Sequence, residues 1–155
     1  MSANRHGTYF RRFTAFGASE VNQIEHVLTT WKKGNHRRSA LQLAVFDPER
    51  DHVHNRQRGF PCLHQVAIVP GADGGLSLTA FYATQLVFEK AYGNYLGLAN
   101  LGAFLATELG MQLTSITCVA SVAILGQSPS FDKLRPQLVD ELAALVHEGM
   151  AGASP

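Results

Sequence analysis

From Leu113 to Leu125 the chain carries no charged side chain, and apolar residues fall at odd and even positions alike. A strand turns successive side chains to opposite faces, so this segment is apolar on both and needs a packed neighbour on each side. The segment before it, Tyr95 to Leu109, carries a single charge, Glu108, and has the length and content of a helix, and Gly110 stops it. Gly97 and Gly102 lower its helix propensity and allow close packing on a sheet. A buried helix followed by a doubly buried strand points to helices layered on a sheet. The chain has 155 residues, 46% hydrophobic and 16% charged. That suffices for a core without a metal or disulfide, and it excludes a disordered chain. We expect one domain over residues 1–148 and a Gly-, Ala- and Ser-rich tail, 149–155, that frays.

The rest of the chain supplies more elements. Residues 1–12 are polar and basic and read as surface. Ser19 is placed to cap a helix from Glu20 to Lys33, whose Val21, Ile24, Val27, Leu28 and Trp31 form one apolar face. Gly34 ends it, and His36-Arg37-Arg38 is a basic loop. Leu41 to Phe46 reads as a strand stopped by Asp47-Pro48, and Glu49 to Gly59 as a polar loop. Cys62 to Val69 and Leu76 to Ala83 flank the turn Pro70–Gly75 and form a hairpin. Leu86 to Tyr92 fits more than one conformation. Leu113 to Leu125 has room for a bulge. Ser130 caps a last helix, 131–147, with Leu134, Leu138, Leu142 and Leu145 on one face. The order helix, strand, hairpin, helix, strand, helix is α+β, with an antiparallel or mixed sheet.

Several functions are excluded by composition. Thirteen Lys and Arg against 12 Asp and Glu give a net charge of +1, which provides no general attraction to nucleic acid or anionic lipid. No run of 18 clean apolar residues exists, so no membrane span is expected. The N-terminus lacks the apolar run of a signal peptide, which makes the cytoplasm the expected compartment and both thiols, Cys62 and Cys118, reduced. The low charged fraction suggests that another subunit covers some apolar surface.

Five segments in order carry a resemblance: Val21-Asn-Gln-Ile-Glu-His-Val-Leu, then Arg37-Arg38, then Phe46-Asp47-Pro48, then Pro61-Cys62, then Phe88-Glu-Lys-Ala-Tyr-Gly-Asn94-Tyr-Leu-Gly-Leu-Ala. Together they resemble the thymidylate synthases and the related pyrimidine nucleotide hydroxymethylases, over residues 9–126. The resemblance implies a mixed sheet with helices on one face and a dimer interface on the other. It implies that Cys62 is the nucleophile: its thiolate adds to carbon 6 of a pyrimidine and makes carbon 5 accept a one-carbon unit. It further implies Arg37 and Arg38 as phosphate ligands across the dimer, His64 as a substrate contact near the thiol, Asn94 as reader of the pyrimidine edge, and 5,10-methylenetetrahydrofolate as one-carbon donor. The implied partners are a second copy, or a companion chain that supplies an N-terminal segment.

The departures are as informative. Thr84-Gln85 stand where the resemblance expects Arg-Ser, and Val87 where it expects Asp. Ser121 to Gly126 lack the His and Tyr that would hold a ribose, and Leu63 separates Cys62 from His64. The segment that would bear a phosphate loop and a catalytic Glu is expected to be missing before Tyr9.

Each candidate also has a plainer reading. Cys62 can be a small buried hydrophobe, and Cys118 reads as core. Arg37-Arg38 and Arg11-Arg12 can be solvated, and Asn94 can be a helix N-cap. Tyr92 and Tyr95 can be core aromatics. Asp51-His-Val-His54 with His64 has ligand residue types but no fixed third spacing, and reads as a loop. Pro70–Gly75 precedes a strand, not a helix, and reads as a turn, not a phosphate cradle. Three functions remain open: a one-carbon transferase acting on a pyrimidine nucleotide, an enzyme reusing Cys62 on another substrate, and a catalytically silent dimeric scaffold or subunit.

Overall fold

A computed structural model describes residues 9–34, 36–52, 54, 60–126, 133, 136–141 and 143. The chain divides into two units, Met1–Ile124 and Leu125–Pro155. In the second, residues 133, 136–141 and 143 are helical, within the expected helix. Ser130, Leu134, Leu142 and Leu145 lie outside the described residues.

The first unit runs α1 (Tyr9–Thr14), α2 (Gln23–Lys33), β1 (Gln42–Ala44), α3 (Pro48–Asp51), β2 (Leu63–Pro70), β3 (Gly75–Leu86), α4 (Tyr92–Leu109) and β4 (Gln112–Ile124). It is α+β, with one four-stranded mixed sheet ordered β1-β2-β3-β4. The first two pairings are antiparallel, and β3 pairs with β4 in parallel. The long helix α4 is the crossover that a parallel pair requires.

Burial alternates along β3. Leu76, Leu78 and Ala80 are fully buried and Tyr82 nearly so, while Ser77, Thr79, Phe81 and Ala83 between them are half-buried. The first set meets Phe13 of α1, Ile24 and Val27 of α2, and Leu98, Leu101 and Leu105 of α4 in one cluster. The helices therefore cover one face, as expected. Thr114 is the extra residue of a bulge in β4, between the pairs Leu76–Leu113 and Ser77–Ser115. The room for a bulge was legible; its place was not.

Several boundaries differ from the sequence reading. The cap of α2 is Asn22, not Ser19: its side chain accepts from the Glu25 amide at 3.1 Å. Residues 15–22 instead form a bend closed by the Phe16–Val21 bridge. Residues 9–12 belong to α1: Phe10 and Arg11 are exposed, as expected of a surface segment, whereas Arg12 is buried, with Phe13 next to it. The polar loop begins with a helical turn, α3, because Asp47 caps it and Pro48 occupies its first position. Leu86 to Tyr92 resolves into a π-helical turn, Val87–Ala91, which runs into α4 three residues earlier than expected. Among the described residues no helix is long and apolar enough to cross a membrane.

Candidate functional site

The antiparallel pairing of β2 and β3 brings the start of β2 to the end of β3. Cys62 lies there, its carbonyl accepting the Ala83 amide at 2.9 Å. The thiol is half-buried and packs against the core cluster. It stands close to two phenols. Burial raises the Tyr9 pKa, hydrogen bonding at the Leu63 backbone opposes the rise, and the nearby Cys62 adds to it. Burial also pushes the Tyr82 phenol far above its ordinary range, with smaller contributions from its neighbours, Cys62 among them. Both phenols therefore stay neutral donors at physiological pH.

α1 reaches this place through an ion pair that the sequence does not announce. Arg12 donates to both carboxylate oxygens of Asp51, at 2.6 and 2.9 Å, and to the Val45 carbonyl at 2.7 Å. Asp51 in turn accepts the Asp47 amide at 2.9 Å. The pair is almost wholly buried. Reading Arg11-Arg12 as solvated thus fails at Arg12. Gln23 adds a second clasp, donating to the carbonyls of Arg12 and Ala44 and accepting from the Ala44 amide at 2.8 Å.

Thus anchored, α1 faces the N-terminal half of α4 across a cleft of about 150 Å³. Tyr9, Phe10 and Phe13 form one wall, and Gly93, Asn94 and Gly97 belong to the other. Leu63, next to Cys62, and Tyr82 line it from the sheet. Asn94 is inside α4, not at its cap: the helix begins at Tyr92 and Ala91 before it is already helical. The N-cap alternative for Asn94 is therefore excluded, and the residue is half-buried in the wall of the cleft.

The other expected site residues lie elsewhere. A bulge at His64, between the pairs Leu63–Tyr82 and Gln65–Phe81, sets its ring among phenylalanines. It stacks on Phe46 at 5.0 Å between centroids, with Phe60 and Phe81 edge-on at 5.9 Å. Its Nε2 is buried without a hydrogen-bond partner. Burial lowers its pKa and the Asp51 carboxylate acts against that.

Arg37 and Arg38 are exposed and precede Leu41, whose carbonyl accepts the Ile68 amide at 2.9 Å. Ile68 is six residues along β2 from Cys62, and at ~3.3 Å per residue the two ends are about 20 Å apart. Arg37 and Arg38 thus enter the sheet at the end of β2 opposite Cys62.

Gln85 went unrecognised in the sequence. It is buried near the end of β3, its Nε2 has no partner, and its Oε1 accepts from the Tyr95 hydroxyl at 3.4 Å. Arg56 and Arg58, which flank Cys62 in sequence, lie outside the described residues. Among the described residues no three His, Cys, Asp or Glu side chains gather to hold a metal ion.

No family model matches the chain. Over 118 residues, 76% of the chain, it is 29% identical to a protein of Methanopyrus kandleri described as "Putative thymidylate synthase". The match covers 52% of that protein, so the chain spans about half the length of the curated relative it matches. The chain is similar, at this distance, to a protein carrying a thymidylate synthase description.

Proposed function

We propose that the chain is a thymidylate synthase-like transferase domain that acts through Cys62 on a pyrimidine nucleotide or a related substrate. The carrying observation is that Cys62 and Gln85 lie toward the end of the sheet where β2 begins and β3 ends, with Asn94 in the first turn of α4 beside Tyr95, whose hydroxyl donates to Gln85. Tyr9 and Tyr82 stand beside the thiol. The similarity to the Methanopyrus protein supports this reading.

The Cys62 thiolate forms a bond to carbon 6. The electron pair of the 5,6 double bond then moves to carbon 5 and the adjoining carbonyl as an enolate. With a methylene donor bound, carbon 5 would take the methylene carbon and lose its proton as the carbon–nitrogen bond to the donor breaks, and addition of a hydride from the released tetrahydrofolate, giving methyl, or of water, giving hydroxymethyl, would expel the thiolate as the 5,6 double bond reforms. For the proposed donor, 5,10-methylenetetrahydrofolate, Gln85 Nε2 is a buried hydrogen-bond donor without a partner among the described residues toward this end of the sheet. A pterin edge has several polar groups, so the rest of its seat would come from another subunit or chain.

The proposal includes a homodimer with the helix-free sheet faces packed together. Val69 and Val119 are 41% and 46% exposed on that face, and Phe81 is half-buried beside them. A second copy would also offer its Arg37 and Arg38, which in their own chain lie toward the opposite end of β2 from Cys62.

The stacking of the His64 ring on Phe46 and the entry of Arg37 and Arg38 at the far end of β2 favour a second reading, a catalytically silent dimeric subunit. One experiment separates them. If Cys62 adds to carbon 6, the protein catalyses exchange of the carbon 5 hydrogen of deoxyuridine monophosphate for deuterium in heavy water, without folate. Proton NMR reads the loss of that signal, and Cys62→Ala abolishes it. No exchange by the wild-type chain, or equal exchange by the variant, leaves the scaffold reading.

A further inference from the structure

The cleft between α1 and α4 does not include the Cys62 thiol among its walls. α4 holds three interior glycines besides, and each weakens a helix relative to alanine. Gly102 has a packing reason. A Cβ there would lie 2.8 Å from Leu113 Cδ1 and 3.0 Å from Leu78 Cδ1, so any larger residue would make these leucine side chains shift. Gly93 and Gly97 have no such reason. A Cβ built on either meets no atom within 4 Å. They are four residues apart, hence on one face of the helix, and both line the cleft. Their one structural consequence is a strip of bare backbone opposite the aromatic rings of α1.

The cleft, about 150 Å³, matches in size an apolar cavity that admits one benzene-sized molecule. Among the described residues no charged side chain lines it, so a charged guest would lose its hydration there without a counter-ion. Asn94 contributes a neutral amide with donors and an acceptor.

We propose that this cleft binds a single flat, uncharged ring, held between the aromatic side chains of α1 and the bare α4 backbone at Gly93 and Gly97. The site stands whether or not Cys62 is a nucleophile.

Saturation-transfer NMR and titration on the full chain test it with three probes: phenol, uracil and benzoate. Phenol and uracil bind, and benzoate, an anionic ring of nearly the same size, binds at least tenfold more weakly. Gly97→Leu places a side chain in the empty strip and abolishes binding, while its Tm stays or rises because leucine favours helix. Should that variant lower Tm, Gly97→Ala adds one methyl to open space and must still weaken binding. Cys62→Ser keeps binding intact, which separates this site from the thiol chemistry. Absence of phenol binding at millimolar concentration, equal binding of benzoate, or full binding by a stable Gly97→Leu overturns the proposal.

Discussion

Replacing Arg12 by leucine tests how α1 is held. A six-residue helix has no stability of its own. Its attachment rests on the Phe13 side chain, 4% exposed, and on the bidentate Arg12–Asp51 pair, whose side chains are 8% and 2% exposed. Leucine keeps the apolar stem but leaves the Asp51 carboxylate buried without its cation, and also frees the Val45 carbonyl. Breaking a buried pair in this way costs roughly 3–5 kcal/mol. That is a large part of the ~5–15 kcal/mol that holds a domain together. At ~2–4 °C per kcal/mol for a chain of this size, Tm falls by roughly 6–20 °C. Urea unfolding followed by circular dichroism measures the loss as a lowered midpoint. Arg12→Leu/Asp51→Asn, with the buried charge removed, should recover part of the loss, and the cycle reports the coupling. A single-variant loss below ~1 kcal/mol would refute the argument, since a solvated surface pair contributes no more than that.

Gly102→Ala should destabilise by about 1–3 kcal/mol through overpacking against Leu113 and Leu78, despite the helix-propensity gain, and a thermal melt decides the sign. His64 is held neutral by burial, its pKa below the ordinary 6.5. The unfolded chain therefore binds the extra proton first. The His64 contribution is intact above about pH 6.5 and declines as pH falls toward the folded pKa. Chemical denaturation at pH 7.5 and 5.5 should show a smaller acid loss for His64→Phe than for wild type. Iodoacetamide should label Cys62 faster than Cys118, whose thiol pKa burial raises. Peptide mass spectrometry of the native protein reads the rates, and equal slow labelling would return Cys62 to the role of a buried hydrophobe.

Signals confined to a few neighbouring residues were legible in the sequence. Gly34 and Gly110 close α2 and α4 at positive φ, as a helix stop requires. The Pro70–Gly75 turn joins an antiparallel pair, and the charge-free run from 113 to 124 lies in one strand, β4, but as an edge strand with no residue fully buried rather than one packed on both faces, because its second neighbour is not part of this chain's sheet. The start of α2 was misplaced by three residues because Ser19 and Asn22 are both good caps, and only the Phe16–Val21 bridge selects between them. Pro61-Cys62 and Asn94 could be named as candidates; the hairpin sets Cys62 beside the end of β3, and the crossover helix carries Asn94 in its first turn.

Tertiary structure alone decided the rest, because the partners are far apart along the chain. Arg12 and Asp51 are 39 residues apart, and neither has a local pattern that predicts the other. The same pair turns a basic surface segment into the wall of a cleft. One bulged residue in β2 sends His64 to the phenylalanines rather than the thiol. The length of β2 removes Arg37 and Arg38 from their expected neighbour. The three glycines of α4 read alike in sequence, yet Gly102 meets the sheet while Gly93 and Gly97 meet open space, because only the packed neighbours determine what a missing methyl leaves behind.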